Sequence, residues 1–285
     1  MPPSETTPVW LAVAREQAGR RRPADLLIQR EKDGFVAPSA LDLRLSVRLD
    51  AMILDAAPDF EAVLLSPLAP LGVCSALAPG SQDRTISALR SLEVVSDPTN
   101  VLALECAKRL RKRPDEDVRL CTVHQVVRAQ SFPNGRGYSR HFRLFAAVEA
   151  GPGRAEDGFE VDAIVRHLSV FDRFFEAAAA LRLRFPERRA IILTAPDRDT
   201  LAERAVRALG SALPHVAVER RPLTSSYYGG VRVMFGATTR AGEFCAIGDL
   251  GVFDWMTQLT ANRRQRFVAS GFGIQLAPVL FGAAD

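Results

Sequence analysis

Between residues 119 and 151 the chain reads RLCTVHQVVRAQSFPNGRGYSRHFRLFAAVEAG, two runs of alternating pattern separated by a long loop. Alternation with period 2 predicts two antiparallel strands, because successive side chains of a strand point to opposite faces. The first strand ends near Arg128 and Gln130, and the second runs from about His141 to Glu149. The loop between them carries Gly135, Arg136, Gly137 and Arg140. A cationic side chain at a strand end, facing a loop with glycine and arginine, suits phosphate or carboxylate. Arginine offers a planar fork to two oxygens, and glycine lets a ligand approach the backbone. A solvated basic hairpin has the same composition, so the pattern leaves both readings open.

The flanking sequence predicts helices and further strands. Residues 38–57 are compatible with a helix opened by Ser39; residues 61–66 read as a buried strand and 91–95 as another. Thr99 is placed to cap a helix carrying Ala103, Cys106, Ala107 and Leu110, which stops at Arg111-Lys112-Arg113-Pro114. Val161, Ile164, Val165, Leu168, Phe171, Phe175 and Ala178 fall at helical spacing, the pattern of a core-packing face. Strands follow at 189–194 and 215–219 around a helix at 197–209. After SSYYGG come strands near 231–237 and 243–248, a short helix at 254–260, a strand at 266–269 and a final apolar helix from about Phe272. Hairpins followed by helices, without regular strand–helix alternation, predict an α+β fold: an antiparallel sheet flanked by helices. Residues 1–24, rich in Pro, Thr and Arg, read as a flexible, disordered N-terminal arm, and 25–285 as one core domain.

Composition narrows the function classes. The 285 residues are 47% hydrophobic and 25% charged, ordinary for a globular chain. With 37 basic residues against 33 acidic, the net charge of +4 is too small to define a nucleic-acid binder. Cys74, Cys106, Cys121 and Cys245 show no patterned spacing, so reduced, buried thiols are expected and no metal site is. The N-terminus lacks the basic start and apolar core of a secretory signal, and prolines and glycines break the uncharged run 62–82, so neither export nor a membrane span is expected. The reading is cytoplasmic.

Four segments, in order, resemble the catalytic core of class II aminoacyl-tRNA synthetases, nearest to histidyl-tRNA synthetase and the related regulatory subunit of ATP phosphoribosyltransferase, over about residues 35–282. SDPTNVLALECAKRL is similar to the segment whose acidic residue and threonine hold the substrate ammonium group; Asp97 and Thr99 match. VVRAQ resembles the second class-defining motif, where an arginine grips the ATP α-phosphate and the substrate carboxylate and a Glu or Gln reads adenine; Arg128 and Gln130 match. SSYYGGVRVMF looks like the tyrosine pair and glycine of the amino-acid pocket, carried by Tyr227, Tyr228 and Gly230. GVFDW and SGFGIQLAPVLF resemble the closing segment and the third motif. The implied ligand-binding set is therefore Asp97, Thr99, Arg128, Gln130, Tyr227 and Tyr228, with Arg136 or Arg140 as the loop arginine.

The departures from that pattern shape the functional expectation. Ala277 and Pro278 stand where the family has a Glu-Arg pair whose arginine holds the ATP γ-phosphate. Such a charge-assisted contact is worth about 1.5–3 kcal/mol. Leu144 and Val148, on one strand face with Phe142, stand where the family places polar pocket residues, while Glu149 faces the other way. The segment RRPLTSS leaves Arg220 and Arg221 as alternatives for the family's catalytic arginine, and no anticodon-binding domain follows the core. Two readings result: a synthetase-fold protein that does not charge tRNA, binding a small ligand or a partner enzyme through the inherited pocket, with a doubtful claim on ATP; and an adenylate-forming ligase acting on a non-tRNA acceptor. The resemblance also implies a homodimer through residues 38–70, no catalytic residue being assigned.

Overall fold

In the computed structural model, which describes residues 2–130 and 139–282, the N-terminal segment is helical rather than a disordered arm. Helix α1 spans Pro3–Gly19 and α2 spans Pro23–Lys32. Local signals outweigh the polar composition. Each helix opens on proline, whose missing N–H has no partner to lose there, and each carries an acid in its first turn, Glu5 or Asp25, facing the positive helix end. Neither helix buries a residue, and Trp10 remains 57% exposed.

Helix α3, Leu43–Asp55, is capped by Asp42, not Ser39: its carboxylate accepts from the backbone N–H groups of Arg44 and Leu45. The expected buried strand after it is only β1, Glu61–Ala62, exposed on both residues and followed by the 95% exposed Leu64. Strands β2 (Leu68–Pro70), β3 (Ser87–Ala88) and β4 (Leu92–Val94) form a separate small sheet in the order β2-β4-β3. Helix α4, Pro98–Leu110, begins at Asp97, whose carboxylate accepts from the Thr99 N–H (3.0 Å) and hydroxyl (2.7 Å). Thr99 therefore sits inside the helix, and Asp97 is its cap.

The hairpin comes next: β5, Val118–Val127, pairs antiparallel with β6, His141–Pro152. After α5 (Gly158–Ala177) come β7 (Arg189–Thr194), α6 (Asp199–Ala212), β8 (Ala217–Pro222), β9 (Val231–Thr238), β10 (Phe244–Phe253), α7 (Trp255–Thr260), β11 (Gln265–Phe272) and the short α8 (Ala277–Phe281). The main sheet runs β1-β5-β6-β11-β10-β9-β7-β8, antiparallel except for the outermost pairs, β1 with β5 and β7 with β8.

Alternation divides that sheet cleanly. Phe145 and Ala147 of β6 join the back-face core with α3, α5 and α6, while Ala146, Val148 and Ala150 pack on the front with α4 and α7. Phenylalanines fill the back: Phe175 of α5 is stacked on Phe185 at 4.0 Å and on Phe235 at 5.3 Å, with almost no exposure. Among the described residues no helix is long and apolar enough to cross a membrane, and no cluster of metal-ligating side chains forms.

Removing the Phe175 ring should leave a cavity between two stacked partners, so Phe175→Ala is expected to destabilise by about 3–5 kcal/mol. Trp10→Ala, on an unburied helix, should stay within about 0.5 kcal/mol. Urea unfolding of both variants checks the contrast.

Candidate functional site

Helix α4 covers only part of the front face. Beyond its N-terminus, between the small sheet and strands β6, β11 and β10, lies a cleft of about 910 Å³. Asp97, Thr99, Arg128, Gln130, Leu144, Tyr227 and Tyr228, each named from the sequence, all line it. Two others do not. Arg140 stacks on Phe35 just beyond α2, 4.6 Å from the ring centroid and outside the cleft, and Arg136 lies outside the described residues.

The cationic end is built by the junction of β5 and α4. Just past β5, the Arg128 Nε donates to the Ser96 carbonyl at 2.9 Å, and its Nη2 lies 3.8 Å from the Asp97 Oδ2. Its guanidinium also sits over the Phe142 ring at 5.3 Å. Asp97 thus holds both the first turn of α4 and this arginine. Across the cleft, Tyr227 and Tyr228 meet edge to face at 5.1 Å and pack against Phe253. Burial, then the carboxylate of Asp97 for Tyr227 and of Asp249 for Tyr228, pushes both phenols well above their ordinary range, so both stay protonated donors. A side chain at Gly251 would run into the Tyr228 ring, so that glycine is what lets the tyrosine lie close over β10.

Among the polar residues of the cleft that sequence reasoning missed are Asp249, Arg232 and Arg84. Asp249 of β10 accepts the Tyr228 hydroxyl at 3.0 Å and a fork from Arg232 of β9 at 2.9 and 2.6 Å. Arg232 also lies 5.0 Å from the Tyr228 ring centroid, and the Asp249 hydrogen bonds raise its already high pKa. Arg84, on the connection between β2 and β3, is the third; it lines the cleft, is exposed, and forms no ion pair among the described residues. Partners distant in sequence define Asp249 and Arg232; only the Arg232 position, alternating with buried Val231 and Val233, carries a local signal.

Arg220 and Arg221 do not fill that role. Both lie on edge strand β8, Arg220 paired to Asp199 at 2.7 Å and Arg221 to Glu219 at 2.7 Å, away from the cleft. Val148 shares the Leu144 face as expected, yet is sealed beneath α4 and lines nothing. Ala277 is fully buried in the first turn of α8, and neither it nor Pro278 lines the cleft. Cys74 does line it; its thiol meets the Thr85 hydroxyl at 2.7 Å, and burial raises its pKa.

This architecture, a mainly antiparallel sheet with helices on both faces and the cleft on the front, is the fold of the class II aminoacyl-tRNA synthetase catalytic core. Among solved structures, the chain is similar to an ATP phosphoribosyltransferase regulatory subunit/histidyl-tRNA synthetase from Bacillus halodurans, with a TM-score of 0.62 at 13% identity over 86% of this chain and 82% of that one. It is similar to histidyl-tRNA synthetase of S. aureus at TM-score 0.64 and 11% identity, over 87% of this chain and 68% of that one. A histidine–tRNA ligase subunit from Alicyclobacillus acidocaldarius matches at TM-score 0.53 and 14% identity, over 85% and 96% of the two chains. No protein-family model and no curated protein matches the chain.

Asp249 is held by two partners, so its loss should expose more than it removes. Asp249→Ala is expected to destabilise the protein by about 1–3 kcal/mol, since it leaves a half-buried guanidinium and a phenol unpaired. The double variant Asp249→Ala/Arg232→Met should recover part of that loss. Thermal unfolding of the single and double variants tests the coupling.

Proposed function

We propose that this chain is a synthetase-fold protein that does not charge tRNA and that binds a small ligand in the cleft, in a regulatory role. The observation that carries the reading is the pairing of a retained cationic end with a missing one. Arg128 and Asp97 stand together at the cleft, while the third-motif arginine position is occupied by Ala277 and Pro278, the first fully buried. Arg220 and Arg221 are tied to acids on the edge strand and supply no substitute. A triphosphate tail would lose a charge-assisted contact of about 1.5–3 kcal/mol at that point.

The second reading, an adenylate-forming ligase with a non-tRNA acceptor, is favoured by one specific feature. Arg84, Arg143 and Arg232 bring further cations to the cleft that Arg128 and Gln130 line, a set able to stabilise charge at a phosphate. ATP–pyrophosphate exchange separates the two. Exchange with each of the twenty amino acids should be undetectable; robust exchange with any of them would overturn the first reading. Exchange supported by a small carboxylic acid alone would select the ligase.

The partner reading includes a second copy of this chain. Leu64, Leu43 and Val47 leave large side chains in water on α3 and just after β1, at 95%, 75% and 57% exposure, and apolar surface of that kind is commonly covered by a twofold mate. A partner enzyme is the competing occupant, suggested by the regulatory subunit that the fold resembles. Light scattering at micromolar concentration should give twice the chain mass, and Leu64→Glu should return it to the monomer; a monomeric parent protein refutes the dimer.

A further inference from the structure

Among the described residues four arginines line the cleft, Arg84, Arg128, Arg143 and Arg232, against two carboxylates, Asp97 and Asp249. Both carboxylates already face donors or cations of the protein. Asp249 already takes the Arg232 fork and the Tyr228 hydroxyl, and Asp97 takes the Thr99 N–H and hydroxyl and faces Arg128. The positive charges are less committed. Arg143 is ion-paired to Asp50 of α3, but the Arg128 pair is long at 3.8 Å, and Arg84 has no acidic partner among the described residues. A ligand ammonium would have to share Asp97 with Arg128 or break the Asp249–Arg232 pair, whereas an anion meets cations already in place.

The floor adds a second, independent constraint. Leu144, Phe142, Ile247 and Leu276 line it. Gly271 lies across from Leu144, where an added Cβ would sit 3.8 Å from the leucine methyl group, so the glycine leaves apolar room beside it. A polar ligand body there would lose water without gaining a partner.

We propose that the cleft takes an amphiphilic organic anion: one carboxylate or phosphate head toward Arg84 and Arg128, an apolar body over Leu144, and no ammonium group. This deepens, and rests on, the ligand-binding reading of the cleft. Octanoate and octyl phosphate carry the proposed features; 2-aminooctanoate adds the ammonium group, and octanamide removes the charge. Calorimetric titration of the full chain should show saturable binding of at least one of the two anions, about tenfold or more tighter than either control. Which anion binds identifies the head group. Arg84→Gln, at an exposed position, should weaken that anion about tenfold without changing the melting temperature. Leu144→Asn should weaken it too, provided the variant melts cooperatively; Arg84→Gln carries the test if it does not. The proposal is overturned if 2-aminooctanoate or histidine binds as tightly as the anions, if neither anion binds, or if Arg84→Gln leaves affinity unchanged. Amino-acid binding without pyrophosphate exchange would sink this inference alone, leaving the ligand-binding reading intact.

Discussion

The register of β6 between β5 and β11 is the constraint on which the rest depends. From Leu144 to Gly151 every residue of β6 is buried, so neither face is spare. Within that stretch Leu144, Ala146, Val148 and Ala150 go to the cleft and α4, while Phe145 and Ala147 go to the phenylalanine core under α5. A slip of one residue would exchange the faces. Glu149 would leave Arg119 (3.1 Å) and Arg166 (3.5 Å) for an apolar layer under α4, and Leu144 would leave the cleft. Burial raises the pKa of Glu149, while these two arginines favour its charged form, so the wrong register would strand a carboxyl group where it has no such help.

That constraint explains what was legible in the sequence. The hairpin, α5 and β7 were readable because burial imprints a period on the residues themselves, 2 for the strands and 3.6 for the helix. The helical N-terminus was misread because composition was weighed above position: Pro3 with Glu5, and Pro23 with Asp25, are start signals, but no apolar stripe accompanies them. The strand expected at 61–66 failed for the opposite reason. Its middle residues, 62–65, are apolar, yet only Glu61 and Ala62 pair with β5, and Leu64 points into water. Asp42 and Asp97 displaced Ser39 and Thr99 as caps, a difference of residues two or three apart that propensity alone does not resolve.

The cleft was legible only where a local motif marks it. Asp97, Arg128 and the tyrosine pair sit in recognisable segments, and the fold brings them to one place. Arg84, Arg232 and Asp249 belong to three separate strands or connections; Arg232 and Asp249 acquire meaning through their contact across the sheet, and Arg84 only through its place in the cleft. Arg140 illustrates the converse: a cation in the right loop whose guanidinium lies on Phe35 rather than in the cleft. Residue type was informative about what a side chain could bind, and tertiary packing decided whether it was available to do so.

Asp97 joins these two levels. Its Oδ1 satisfies the N–H and hydroxyl of Thr99, fixing the start of the helix that roofs the hydrophobic front face, and its Oδ2 is turned toward Arg128. A carboxylate that already serves a helix cap and faces an arginine has less to offer a second cation. Asp249, between Arg232 and Tyr228, is in the same position. In the proposed reading the fold of the synthetase core is kept while the electrostatic demand of its cleft is shifted toward anions. A shared architecture fixes where a ligand can lie, and the pairing state of a few side chains fixes which ligand that is.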